Sequence, residues 1–236
     1  MKPYIRTGLA WSAAAILSML AISAGTWINL PETDRIPVHW NAEGIADGFA
    51  DKTTAGIHLL IMPLVTLMIS AILAIAPSLD PRKANIETGR RAYLATWFGV
   101  IALQVFIHGG IAIGMTQGGA DIVANNAVRW IIAGCGLLFI VIGNYMPKTR
   151  SSFIFGVRTP WTLSSDHAWE KTHRLAGPLF MIAGALGMAG AFLFDGIWLA
   201  LQLTALVVAA AVISIIYSYF AWKNAPDRDE GAGLTV

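Results

Sequence analysis

Charge is scarce in this chain. Lys, Arg, Asp and Glu make up 13% of its 236 residues, against about 25% in average soluble domains. Sixteen basic and fourteen acidic side chains cannot cover a soluble surface on a chain of this length. They also leave a net charge of only +2, so no strong basic field for nucleic acid exists. Cysteine is almost absent. The single Cys135 excludes a small secreted domain stapled by disulfides. No unit repeats at a period of 20–50 residues, which excludes a solenoid, and no low-complexity tract is present. Apolar residues fill the space left. They reach 56% of the chain, with a mean hydropathy of +0.62. That excludes a disordered chain and points to a multi-span membrane protein.

A helix needs roughly 17–25 largely apolar residues to cross a bilayer. Six runs qualify: Thr7 to Leu30, Ile57 to Ala76, Ala92 to Met115, Trp130 to Met146, Leu175 to Phe194 and Ile197 to Trp222. Pro31, Pro77 and Pro147 follow the first, second and fourth. The first run has a basic start in Lys2 and Arg6, but it is longer than the apolar region of a cleaved signal peptide, about 7–15 residues. It is expected to be a retained span. The fold class expected is an all-α, polytopic bundle of six transmembrane helices.

The connections divide by charge. The N-terminus, loop 77–91, loop 147–174 and the tail hold Lys2, Arg6, Arg82, Lys83, Arg90, Arg91, Lys148, Arg150, Arg158, Lys171, Arg174, Lys223 and Arg228. The other connections hold Arg35, Lys52 and Arg129 alone. The positive-inside rule places the first set in the cytoplasm. Both termini are then cytoplasmic, as an even number of spans requires. The location expected is a membrane bounding the cytoplasm, crossed by every span.

Ionisable residues are missing from the centres of the spans, where transporters place proton relays. His108 comes nearest, toward the outer end of the third span, and Gly109 and Gly110 follow it. This argues against a proton relay. No nucleophile elbow, Walker or dinucleotide-binding pattern occurs, so no enzyme is expected. Gly110 with Gly114, and Gly187 with Ala191, have the i, i+4 spacing that lets helices approach closely.

Two connections are long enough to carry function. The outer loop 31–56 is acidic, with Glu32, Asp34, Glu43, Asp47 and Asp51. Its Ile36–Trp40 stretch reads as extended, and Asn41–Gly44 and Asp47–Gly48 read as turns. Trp40 and Phe49 suit the headgroup layer. Three histidines, His39, His58 and His108, fall on this side. With the acidic neighbours they form a donor set of the kind zinc takes, although no fixed-spacing motif is present. The inner loop 147–174 is basic and aromatic. Ser165 and Asp166 suit a helix N-terminus. A helix over 166–176 would put Trp169 and His173 on one side and pair Glu170 with Arg174. Gly177–Pro178 would bend the chain into the fifth span. The segment Arg158-Thr159-Pro160-Trp161-Thr162 reads as an ordered turn.

These two loops carry a family resemblance. The outer Ile-Pro-Val-His-Trp-Asn-Ala-Glu-Gly stretch, with the Asp-Gly and Lys that follow, is similar to the domain that opens many bacterial SdpI-like membrane proteins. The inner Gly-Asn-Tyr-Met-Pro-Lys, Phe-Gly-Val-Arg-Thr-Pro-Trp-Thr-Leu and Trp-Glu-Lys-Thr-His-Arg-Leu-Ala-Gly stretches resemble the second hallmark of the SdpI family. The hydropathy layout fits as well. The family's namesake protects a cell from its own secreted killing peptide and signals by holding a transcriptional repressor at the membrane. The resemblance implies an immunity and signal-transduction role, without direct binding of nucleic acid. Its outer motif falls on Pro37, His39, Asn41, Gly44, Asp47, Gly48 and Lys52, which would sense the peptide. Its inner motif falls on Asn144, Pro147, Arg150, Gly156, Arg158, Thr159, Pro160, Trp161, Thr162, Trp169, His173, Arg174 and Gly177, which would dock the partner. The chain divides accordingly into 1–56 (first span and acidic loop), 57–146 (spans two to four) and 147–236 (basic loop and spans five and six). Two other readings stand beside this one: a metal-binding membrane enzyme or sensor built on the outer histidines, and a small transporter or lipid-binding protein.

Overall fold

A computed structural model describes residues 1–41, 45–116 and 121–228, with backbone alone for 121–126. Among the described residues, six helices are long and apolar enough to span a membrane. These are α1 (Pro3–Asn29), α2 (Lys52–Leu79), α4 (Arg90–Thr116), α5 (Asp121–Tyr145), α7 (Asp166–Leu193) and α8 (Gly196–Lys223). Between them lie the strands β1 (Ile36–Trp40) and β2 (Ala46–Ala50), the short helices α3 (Lys83–Thr88) and α6 (Pro160–Ser164), and a 3-10 turn, Met146–Lys148.

The helices form two halves. In the first, α1 packs against α2 and α4. In the second, α7 lies between α5 and α8. The α4–α5 contact joins them. A polar seam closes the first half. Trp97 Nε1 donates to Ser12 Oγ at 3.0 Å. Thr66 Oγ1 donates to Gln104 Oε1 at 3.1 Å. Ser23 Oγ lies 3.1 Å from His108 Nε2, which is 3.0 Å from the Met19 carbonyl. Each of these six side chains finds a partner where no water would supply one.

The second half is held by glycines. A Cβ on Gly136 would meet the Gly184 carbonyl at 2.6 Å, and one on Gly143 would meet the Gly177 carbonyl at 2.6 Å. The backbones of α5 and α7 therefore touch at two levels seven residues apart. The anticipated Gly110/Gly114 pair works differently: Gly114 makes room for the Trp40 ring rather than for a helix. Gly187 does face a helix, meeting Leu203 of α8.

Several expected boundaries move. Helix α2 starts at Lys52, where Asp51 caps it by accepting from the Thr54 amide at 2.8 Å. It runs through Pro77 to Leu79, because proline forfeits one hydrogen bond and a membrane helix tolerates that loss. Helix α5 begins well before Trp130. Arg129 therefore sits in a helix, and its guanidinium caps the end of α7 by donating to the Ala191 and Phe194 carbonyls at 2.9 and 3.0 Å and by pairing with Asp195. The largest difference is at Gly177–Pro178. The helix is not interrupted there, and α7 is continuous from Asp166 to Leu193 with Pro178 inside it. Gly177 is needed for contact with Gly143 instead.

Candidate functional site: a hairpin and a strap at opposite faces

The connections cluster at two faces. One face bears the hairpin. The other bears the N-terminus, the α2–α4 connection, the segment 146–165 and the tail, tied together by hydrogen bonds.

On the hairpin face, β1 and β2 pair antiparallel, with Ile36 opposite Ala50, Pro37 opposite Phe49, His39 opposite Gly48 and Trp40 opposite Ala46. Asp47–Gly48 is thus strand rather than turn. Gly48 fits because any Cβ there would lie 2.8 Å from the His39 Cβ. Asn41 closes the hairpin: its Oδ1 and its amide both bond Ile45, at 2.9 Å each. Gly44 lies outside the described residues. Ile36 is buried with Leu30, Leu59 and Met115, which seats the hairpin on the first half. Trp40 packs onto Gly114 instead of lying outward among headgroups, whereas Phe49 is exposed with the Arg35 guanidinium 5.0 Å from its ring centre. Lys52 bonds Glu32 at 2.7 Å and stands over the Trp27 ring.

The three candidate metal histidines are held apart by different partners. His39 Nδ1 pairs with Asp47 at 2.5 Å, His58 Nδ1 donates to the Thr54 carbonyl at 2.8 Å, and His108 is in the seam. Among the described residues, no group of three or more His, Cys, Asp or Glu side chains converges.

On the opposite face, the segment 146–165 forms a strap across both halves. Asp80, the C-cap residue of α2, is buried. Its carboxylate accepts from Ser152 Oγ at 2.6 Å, the Phe153 amide at 3.0 Å and the Arg82 amide at 2.7 Å. Arg82 donates to Ser151 Oγ and to the Leu163 carbonyl, and Asn85 donates to the Ser151 carbonyl at 2.8 Å. These bonds tie the strap to the first half.

Other bonds tie it to the second half. Trp169 and His173 stack with ring centres 4.0 Å apart, as their i, i+4 spacing predicts. His173 Nδ1 donates to the Trp169 carbonyl at 2.9 Å, which leaves Nε2 to accept from the Val157 amide at 2.9 Å. Trp169 Nε1 donates to the Thr149 carbonyl. Gly156, at φ +113°, lies over both rings, and a Cβ there would stand 2.5 Å from His173 Nε2. Only glycine meets both demands. Thr159 and Thr162 make a reciprocal capping box at the start of α6, and Thr159 Oγ1 lies 3.0 Å from Ser218 Oγ on α8.

The inner motif therefore divides. Gly156, Thr159, Thr162, Trp169, His173 and Gly177 serve internal contacts. Asn144, Arg150, Arg158, Pro160 and Arg174 are exposed, while Pro147 and Trp161 are half-buried. Arg174 makes the expected pair with Glu170, at 2.8 Å. Sequence reasoning missed Asp80, Arg82 and Asn85 as partners of this motif. The signal was present, since Asp80 is an acid directly before a proline in a mostly cationic loop.

The tail is docked as well. Asp227 accepts from Ser165 Oγ at 2.6 Å and from the His167 amide at 3.1 Å, at the start of α7. Burial pushes its carboxyl upward, but these two donors outweigh it and hold the group below its usual 3.8. A lowered folded value means stabilisation that is complete above the unfolded value and lost as pH falls through the folded one. The tail is therefore expected to stay protected from exchange at neutral pH and to open below pH 3.8. Amide hydrogen exchange over 223–228 checks this. Asp227→Asn should open the tail at neutral pH as well.

Six spanning helices, a hairpin on one face and a buried Trp–His strap on the other define a multi-pass membrane protein. Residues 148–218 match the SdpI/YfhL protein family, and residues 14–67 match a domain of unknown function, DUF1648. The chain is 33% identical over 91 residues to the immunity protein SdpI of Bacillus subtilis (strain 168), a match covering 39% of this chain and 44% of that protein. No solved structure matches. Over residues 148–218 the chain is similar to the SdpI/YfhL family, it spans less than half the length of the curated relative it matches, and it is a multi-pass protein of the bacterial inner membrane.

Proposed function

We propose that this protein is a non-enzymatic immunity and signalling protein. The hairpin would face outward and engage a secreted antimicrobial peptide. The strap would face the cytoplasm and recruit a transcriptional repressor. Likeness to an immunity protein supports the role. The basic residues gathered on the strap face support the orientation. The observation that carries the mechanism is the strap's double attachment. It is bonded to Asp80, Arg82 and Asn85 of the first half, where the hairpin sits, and to Trp169, His173 and Ser218 of the second. A ligand that shifts the first half thus shifts the strap. Such coupling requires two arrangements of the bundle with different affinity for the ligand.

Expression in a peptide-sensitive bacterium should raise survival under the peptide; unchanged survival would overturn the immunity role. Arg158 and Trp161 are the residues to change on the docking side. Arg158 is exposed while bonding the Phe153 carbonyl at 2.7 Å, and Trp161 lies against Tyr219. Arg158→Ala or Trp161→Ala should abolish repressor recruitment to membranes while the membrane level of the protein is unchanged. Recruitment equal to wild type in both variants would refute docking on the strap.

A further inference from the structure

We infer that a polar pocket at the strap ends of α5 and α7 binds the headgroup of a phospholipid carrying both a phosphate and a primary ammonium. The pocket has a volume of about 140 Å³ and two walls of opposite charge. Lys148 and Arg150, just beyond α5, form one wall; Asp166 and Glu170, in the first turns of α7, form the other. Ser151 and Trp169, each 2% exposed, also line it. Opposite charges gain by pairing at close range. Here the walls do not pair directly: among the described residues, Lys148, Arg150 and Asp166 join no ion pair. Lys148 Nζ instead stands 5.0 Å from the centre of the Tyr145 ring, and Glu170 bonds Arg174 at 2.8 Å along its own helix. Ser151 Oγ accepts from Arg82, which leaves its own hydrogen to donate.

Charge selects the ligand. A phosphate gains charge-assisted hydrogen bonds from Lys148 and Arg150 and a further one from Ser151. A purely anionic group would also meet the carboxylates of the second wall and be repelled; a purely cationic one would meet Lys148 and Arg150. A primary ammonium beside the phosphate turns the second wall into a gain, because its N–H groups donate to Asp166 and Glu170. A trimethylated ammonium has no N–H to give. Position selects the source. Lys148 ends one spanning segment, Ala127–Lys148, and Asp166 begins another, Asp166–Leu193, so the pocket lies where lipid headgroups lie. From its rim at Glu170, the exposed residues Arg174, Pro178 and Met181 follow one face of α7 toward the hydrocarbon. The acyl chains below such a headgroup can lie along that face.

Native mass spectrometry of the full chain tests this. The protein is released from detergent containing phosphatidylethanolamine, phosphatidylglycerol or phosphatidylcholine at equal concentration, and the lipid that stays bound is counted. Phosphatidylethanolamine should be retained about tenfold over each of the others, the worth of one hydrogen bond to a charged group. Replacing both cations, Lys148→Gln with Arg150→Gln, should lower retention of phosphatidylethanolamine and phosphatidylglycerol alike. Asp166→Asn should lower phosphatidylethanolamine about tenfold and raise phosphatidylglycerol, because only the first loses a partner and the second loses a repulsion. All three side chains are exposed, so unfolding midpoints should stay at the wild-type value. Equal retention of the three lipids overturns the inference. So does a preference that Asp166→Asn leaves unchanged. Displacement of the lipid by soluble phosphoethanolamine at equal concentration overturns the membrane as the source.

Discussion

Gly184→Val is expected to lower the stability of the full chain by about 3 kcal/mol, the upper end of the range for overpacking a tight core. Its Cβ would be driven into the Gly136 carbonyl, with Ile140 behind it. That atom belongs to a helix backbone and cannot swing aside. The two helices must separate, and they then lose the dispersion contacts that hold membrane helices together. Gly143→Val should behave alike, since its Cβ would meet the Gly177 carbonyl at 2.6 Å and Met181 at 2.9 Å. Gly109→Val is the control, because nothing lies within 4 Å of a Cβ at that position. Thermal unfolding in detergent compares the three. Equal midpoints for Gly184→Val and Gly109→Val would refute the backbone contact.

Asp80→Ala is the second large effect. One buried carboxylate accepts three hydrogen bonds, and Ser152 Oγ in turn accepts from the Ile154 and Phe155 amides. Deleting the carboxylate leaves buried donors without an acceptor, at about 1–3 kcal/mol for each group stranded. A total loss of about 3 kcal/mol is expected, concentrated in the strap. Asp80→Asn keeps one acceptor oxygen and should lose less. Hydrogen exchange reports where the loss falls: amides at 152–157 should lose protection in Asp80→Ala while the centres of α7 and α8 keep theirs. Unchanged strap protection would refute Asp80 as its anchor.

The spans were legible because burial in lipid writes a long, continuous signal. Each run in the sequence falls within one helix of the structure or passes its C-terminal end by one residue, and the charge division matches the two faces. Local chemistry was legible too. The Ser165 cap, the Glu170–Arg174 pair and the Trp169–His173 stack all follow from helix spacing. What depends on a distant partner was hidden. Asp80 meets Ser152 across more than seventy residues, and Gly136 meets Gly184 across nearly fifty. Neither has a local period. Gly177–Pro178 misled for a related reason: the pair reads as the end of a helix over 166–176, yet Gly177 is there for close approach and Pro178 lies inside α7. Of the inner motif, types and spacing could not separate the residues that brace the strap from those left on its surface. Only burial does that.

Each half is an unbroken stretch of polypeptide. Helices α1, α2 and α4 have all emerged from the ribosome before α7 and α8 are made, so the polar seam can zip shut within the first trio during synthesis. The Asp80 anchor waits longer, since Ser152 and Phe153 arrive only after α5. Biogenesis would then end with the strap being fastened, and a nascent chain stalled before it would display a finished first half with an open latch.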